Sequence, residues 1–218
     1  MKKPIGLLGG TFDPVHFGHL RTALELQQAL GLAEVRLIPC AEPVHRASPF
    51  ASPEARLAMV ECAIANEPHL RADPREIRRA GPSWTIDTLE SLRQELPDTP
   101  LCLILGIDAM ASLPGWHRFT DIITLAHLVI AHRPHYHMPD NSTLSHLVQQ
   151  HKSDSPADLH RRLAGSLLFH PVTQLEISST DIRRQFATGQ TPRYLLPDAV
   201  CDYIRQHGIY HSYDGNLS

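Results

Sequence analysis

Two short stretches, far apart in the chain, carry residue types suited to work on a phosphate chain. The first is Gly9-Gly10-Thr11-Phe12-Asp13-Pro14-Val15-His16-Phe17-Gly18-His19. Glycine lets the backbone come close to a ligand, and a helix start offers unpaired amides to anions. His16 and His19 are three apart, so on a helix they project from one face. Two imidazoles beside a helix N-terminus can donate to phosphate oxygens and stabilise charge growing on a bridging oxygen as it leaves. The second stretch is Ile177-Ser178-Ser179-Thr180-Asp181-Ile182-Arg183. Its hydroxyls and free amides at a helix start face anions, and the planar guanidinium of Arg183 can bridge phosphate oxygens in a fork. The plainer alternative makes Ser178 a helix cap and Arg183 an exposed cation. The glycine spacing is neither Gly-x-Gly-x-x-Gly nor Gly-x-x-x-x-Gly-Lys-Ser/Thr, so neither common nucleotide loop is present.

Residues 5–8 read as a short buried strand ended by Gly9-Gly10. Residues 16–30 have helical spacing, with Leu20, Ala23, Leu24 and Leu30 on one face and Gly31 as the stop. Residues 35–39 form a second strand, which completes a βαβ unit and implies parallel strands. Ser52-Pro53-Glu54 starts a helix, and Thr85 is expected to cap another. The continuous apolar run at 101–105 ends at Gly106, as expected of a strand covered on both faces. Strands at 128–131, 167–169 and 174–177 and helices at 180–187 and 198–207 follow. The alternation predicts an α/β fold: a Rossmann-like, doubly wound, mainly parallel sheet with helices on both faces and a small C-terminal helical part. We read 1–211 as a single domain, with a polar insertion at 134–165, the C-terminal helical part at 178–208 and a frayed tail at 212–218.

Composition narrows the function classes. The chain has 218 residues, a net charge of −3 and no apolar stretch near the ~20 residues a membrane span needs. The charge argues against a nucleic-acid binder, which carries a broad basic face. The four cysteines, Cys40, Cys62, Cys102 and Cys201, form no Cys-x-x-Cys pair. They fit reduced thiols in a cytoplasmic protein. The 15 histidines include no His-Glu-x-x-His helix, so a built-in metal centre is not expected.

His16-Phe17-Gly18-His19 and Ile177-Ser178-Ser179-Thr180-Asp181-Ile182-Arg183 resemble the paired signatures of the nucleotidyltransferase superfamily. Three further stretches resemble the nicotinate-nucleotide adenylyltransferase family: 81–89 (Gly-Pro-Ser-Trp-Thr-Ile-Asp-Thr-Leu), 106–117 (Gly-Ile-Asp-Ala-Met-Ala-Ser-Leu-Pro-Gly-Trp-His) and 196–204 (Leu-Pro-Asp-Ala-Val-Cys-Asp-Tyr-Ile). The likeness runs from about residue 4 to 210, and 134–165 is its weakest part.

That resemblance implies transfer of the adenylyl group of ATP to nicotinate mononucleotide, giving nicotinate adenine dinucleotide and pyrophosphate in NAD biosynthesis. It implies His16, His19 and Arg183 as catalytic residues. Gly9, Gly10, Thr11, Phe12, Gly18, Gly106, Asp108, Arg133, Ser178, Ser179 and Thr180 would hold ATP. His45, Arg46, Ser83, Trp84, Thr85, Trp116 and His117 would hold the mononucleotide. Trp84 and Trp116 would flank the nicotinate ring, and backbone amides near Thr85 and His117 would meet its carboxylate. Asp108 would bind a ribose hydroxyl or orient hydrated metal; otherwise it caps the next helix. Mg2+ would ride on the ATP phosphates. Position 84 is more often tyrosine in the family, and Val44 stands where proline is commoner. Association into homo-oligomers stays open, and neither nucleic acid nor membrane is expected as a partner. Rival readings are nicotinamide mononucleotide or phosphopantetheine as acceptor, and a nucleotide sensor without turnover. The Arg-Thr-x-Gly-Ile-Ser run of the CTP-using branch and the Lys-Met-Ser-Lys-Ser loop of tyrosyl-type synthetases are both absent.

Overall fold

A computed structural model of the chain describes residues 2–43, 48–79, 81–132, 141–173 and 175–213. His45, Arg46, Arg133 and the first residues of the insertion lie outside the described residues. The elements run β1 (Ile5–Gly10), α1 (Phe17–Ala29), β2 (Glu34–Pro39), α2 (Pro53–Ile64), β3 (Leu70–Ala72), α3 (Arg75–Arg78), α4 (Thr85–Glu95), β4 (Leu101–Gly106), α5 (Ile107–Ser112), α6 (Phe119–Leu125), β5 (His127–His132), α7 (Ser142–His151), β6 (Lys152–Ser153), β7 (Leu167–Pro171), α8 (Ser179–Ala187) and α9 (Asp198–Gln206). Among the described residues the strands form one sheet in the order β3-β2-β1-β4-β5-β7-β6. The fold is Rossmann-like and doubly wound. Strand order reverses between β1 and β4, and each of these strands carries a candidate ligand-binding stretch at its carboxyl end.

The chain divides into two compact units, one of Met1–Leu8, Thr22–Arg36 and Trp84–Gln174, the other of Gly9–Arg21, Leu37–Ser83 and Leu175–Ser218. In the first unit β4 and β5 pair in parallel through Leu103↔Leu128 and Leu105↔Ile130. Residues 101–105 and every residue of β5 are buried, the pattern of strands covered on both faces. Helices α4 and α6 pack together in this unit. Buried His127 accepts from Ser166 N–H at Nδ1 (3.1 Å), and its Nε2 lies 3.0 Å from Arg162 O. The insertion supplies β6, an edge strand paired in parallel with β7.

In the second unit α2 packs against α9. Their buried residues include Met59, Val60 and Ile64 on one and Val200, Cys201 and Ile204 on the other. Ser52 caps α2 as the sequence predicts, its Oγ accepting from Ala55 N–H at 3.2 Å. Tyr213, where the sequence reading expects fraying, is 6% exposed.

Three local expectations need correction. Thr85 is the first residue of α4; Trp84 stands at the cap position and makes no side-chain cap bond. Residues 175–178 form no strand and lead as a loop into α8. Gly106, not Asp108, occupies the cap position of α5. The short elements β3 and α3 were not anticipated; three or four residues are too few to show a period. No helix among the described residues is long and apolar enough to cross a membrane.

Candidate active site

The second unit holds both phosphate-suited turns. At the first, β1 ends in Gly9 and Gly10, and a Cβ on Gly9 would meet nothing within 4 Å. Phe12 follows in the left-handed region (φ 50). Its ring is buried and meets the His19 ring edge-on at 5.1 Å. Phe12 can therefore offer a ligand its main chain, while its ring supports His19. The helix then begins, and the His16 and His19 rings stack at 3.8 Å with 27° between planes. Gly18 makes that stack possible: a Cβ there would lie 3.0 Å from both Cε1 and Nδ1 of His16.

The two imidazoles differ in electrostatic setting. His16 is 6% exposed. Burial lowers its pKa from 6.5 to about 4, so it is neutral at physiological pH. Its Nδ1 is buried with no hydrogen-bond partner among the described residues. His19 Nδ1 accepts from His16 N–H at 3.3 Å. That bond requires Nδ1 to be unprotonated, which places the ring proton on Nε2.

The second turn joins the first. Ser179 Oγ donates to Pro14 O at 3.0 Å, and Arg183 Nη1 donates to Asp13 O at 2.7 Å. Ser178 caps α8, its Oγ accepting from Asp181 N–H at 3.4 Å. Thr180 Oγ1 accepts from Arg183 Nη2 at 3.2 Å. The capping role weighed for Ser178 is thus real, but Arg183 is not the exposed cation of that reading: its side chain is 11% exposed, and its Nε is buried and unpartnered among the described residues.

Residues that sequence reasoning did not single out hold this arrangement. The Asp13 carboxylate accepts from Phe50 N–H (2.7 Å), Ala51 N–H (3.1 Å) and Tyr210 OH (2.7 Å). Burial first, then the neighbouring carboxylate, raises the Tyr210 pKa well above 10 and keeps the phenol a donor. Arg56, fully buried, donates to Thr11 O (2.8 Å), Ala51 O (3.1 Å) and Ala41 O (3.1 Å). Its one signal in the sequence was its spacing, four before Val60 and so on the buried face of α2. Ser83, expected at the mononucleotide, accepts from Ala41 N–H at Oγ (2.9 Å) and donates its own N–H to Glu42 O (3.0 Å).

The first unit holds the remaining candidates. Trp84 and His117 rings lie 5.0 Å apart at 44°. Trp116, half-buried after the 3₁₀ turn Leu113–Gly115, donates Nε1–H to Ser112 Oγ at 3.1 Å. Thr85 opens α4 with no side-chain cap before it, so the first-turn amides there suit an anion. Gly106 and Asp108 are exposed at the carboxyl end of β4 and the first turn of α5. No group of three or more His, Cys, Asp or Glu among the described residues could hold a metal ion.

A doubly wound sheet with a His-x-Gly-His helix start and a hydroxyl-rich turn hydrogen-bonded to it defines a nucleotidyltransferase. Accordingly, the cytidylyltransferase-like family model matches residues 7–185. The chain is 52% identical over 210 residues to the probable nicotinate-nucleotide adenylyltransferase of Aeromonas hydrophila, covering 96% of this chain and 98% of that one. It is 52% identical over 209 residues to the protein of the same description from Hahella chejuensis, covering 95% of each. The solved Plasmodium falciparum nicotinic acid mononucleotide adenylyltransferase complexed with NaAD shares its fold, with a TM-score of 0.72 at 16% identity over 100% of both chains. The chain belongs to the nicotinate-nucleotide adenylyltransferase family.

Proposed function

We propose that this protein transfers the adenylyl group of ATP to nicotinate mononucleotide, forming nicotinate adenine dinucleotide and pyrophosphate in NAD biosynthesis. The observation that carries this reading is the stacked His16–His19 pair, with a buried, unpartnered Nδ1 on His16, on the turn to which the Arg183 helix is bonded. A phosphate oxygen of the mononucleotide attacks the α-phosphorus of ATP in line, and pyrophosphate leaves. Phosphate is already a nucleophile at neutral pH, so no general base is needed, and catalysis is positioning plus charge stabilisation.

In this reading His19 donates Nε2–H to a phosphoryl oxygen, and Gly9, Gly10, Thr11, Phe12 and Gly18 let the main chain approach the phosphates. Ser178, Ser179 and Thr180 offer the first turn of α8 to the same anion. Trp84 and Trp116 flank the nicotinate ring, while amides near Thr85 and His117 take its carboxylate; Ser83, His45 and Arg46 serve the mononucleotide. Gly106, Asp108 and Arg133 serve the nucleoside part of ATP. Magnesium would keep waters and substrate oxygens as its ligands. The exposed Asp108 carboxylate would orient its waters, and the ion would neutralise triphosphate charge. We place the enzyme in the cytoplasm, with one domain over 1–211.

The test is pyrophosphate release from ATP and magnesium with nicotinate mononucleotide or nicotinamide mononucleotide, the product identified by mass. Rapid turnover only with nicotinate mononucleotide is expected. Release with nicotinamide mononucleotide alone, or with neither, would overturn the assignment.

A further inference from the structure

The segment after α9 turns back onto the phosphate-suited turns through two tyrosines. Tyr210 sits in the left-handed region (φ 69) and is fully buried, its hydroxyl on Asp13 at 2.7 Å. Tyr213 lies one short turn later. Its ring stands under the Arg183 guanidinium, with Cζ 4.7 Å from the centroid, and its hydroxyl accepts from Arg183 Nη2 at 3.3 Å. Phe50 packs against both rings, at 5.7 Å in each case.

These contacts divide the Arg183 donors in a definite way. Nη1 is spent on Asp13 O, and Nη2 on Thr180 and Tyr213. A guanidinium is planar, so an aromatic face below and a hydroxyl at one corner fix the orientation of the whole fork. Nε is left buried and unpartnered, and a buried donor without a partner is costly unless a ligand supplies one.

We propose that Tyr213 is a positioning residue for adenylyl transfer: its ring and hydroxyl hold the Arg183 guanidinium at the Gly9–His19 turn, while Tyr210 anchors the segment through Asp13. The inference rests on the reaction proposed above. Tyr213 touches no reacting atom and acts through Arg183, so its effect must vanish when Arg183 is absent.

The test is a double-mutant cycle on the full chain. Tyr213→Phe, which keeps the ring, is expected to lower kcat about two- to fivefold, and Tyr213→Leu about tenfold, in line with one hydrogen bond and one cation–π contact. Both should leave the KM for nicotinate mononucleotide within about twofold. In an Arg183→Ala background neither substitution should lower kcat further. Losses that add in that background, or unchanged kcat in the single variants, overturn the proposal. Should Tyr213→Leu fail to fold, as circular dichroism would show, Tyr213→Phe carries the same cycle. Calorimetric binding of ATP repeats the cycle without turnover. A wild-type chain that releases no pyrophosphate therefore defeats the reaction, while the binding cycle still decides for or against Tyr213.

Discussion

His19 Nδ1 accepts the main-chain N–H of His16 at 3.3 Å while the two rings stack at 3.8 Å. One contact thereby fixes a tautomer and the other a direction. Nε2 of His19 is therefore the protonated nitrogen, on a helix start, where charge on a phosphate oxygen is best met.

His19→Ala removes that donor. It should lower kcat by roughly 10²–10³-fold with the fold intact, a usual loss for one preorganised donor. Steady-state pyrophosphate release beside a far-UV spectrum measures it. A folded variant with wild-type turnover would remove His19 from the chemistry.

Gly18→Ala probes the stack without touching either imidazole. The new Cβ would lie 3.0 Å from two atoms of the His16 ring, which is packed and cannot simply swing away. Turnover should fall roughly 10- to 100-fold through misplacement. Thermal stability should fall modestly, by about 1–3 kcal/mol, because the added methyl overpacks the buried His16 ring. Undiminished specific activity in the folded variant would contradict this.

Acid should destabilise the free protein through the buried His16 and His127 and the partly buried His170. Burial lowers the pKa of His16 from 6.5 to about 4, and those of His127 and His170 move the same way. The unfolded chain therefore binds more protons between these values. Stability is flat above about pH 6.5 and falls as pH drops toward 4, by about 3 kcal/mol for His16 alone. Urea midpoints at several pH values, compared with His16→Gln, isolate this share. Equal slopes for the two proteins would count against it.

Trp116→Ala separates ring binding from packing. Trp116 is half-buried and held by Ser112. The KM for nicotinate mononucleotide should rise roughly three- to tenfold, the scale of an aromatic contact, with the KM for ATP nearly unchanged. An equal rise in both would make Trp116 structural only.

Much of the fold was legible because its signals are local. The apolar run at 101–105, the Ser52-Pro53 helix start and the glycines after α1 and α8 mark elements without reference to distant residues. The three-residue β3 and two-residue β6 carry too little pattern, and their strand character comes from neighbours. Arg56 shows the same limit at the site. Its spacing puts it on the buried face of α2, yet only the folded chain supplies the three carbonyls that make burial tolerable.

The chemical repertoire was determined by sequence alone: two imidazoles three residues apart at a helix start, a hydroxyl-rich turn with an arginine, and aromatic residues in loops. The tertiary structure decided how those groups are spent. Ser178 caps its helix, Ser179 binds Pro14, and Arg183 is shared among Asp13, Thr180 and Tyr213. The reason is that a buried donor takes whichever acceptor folding brings within about 3 Å, and sequence separation has no part in that choice.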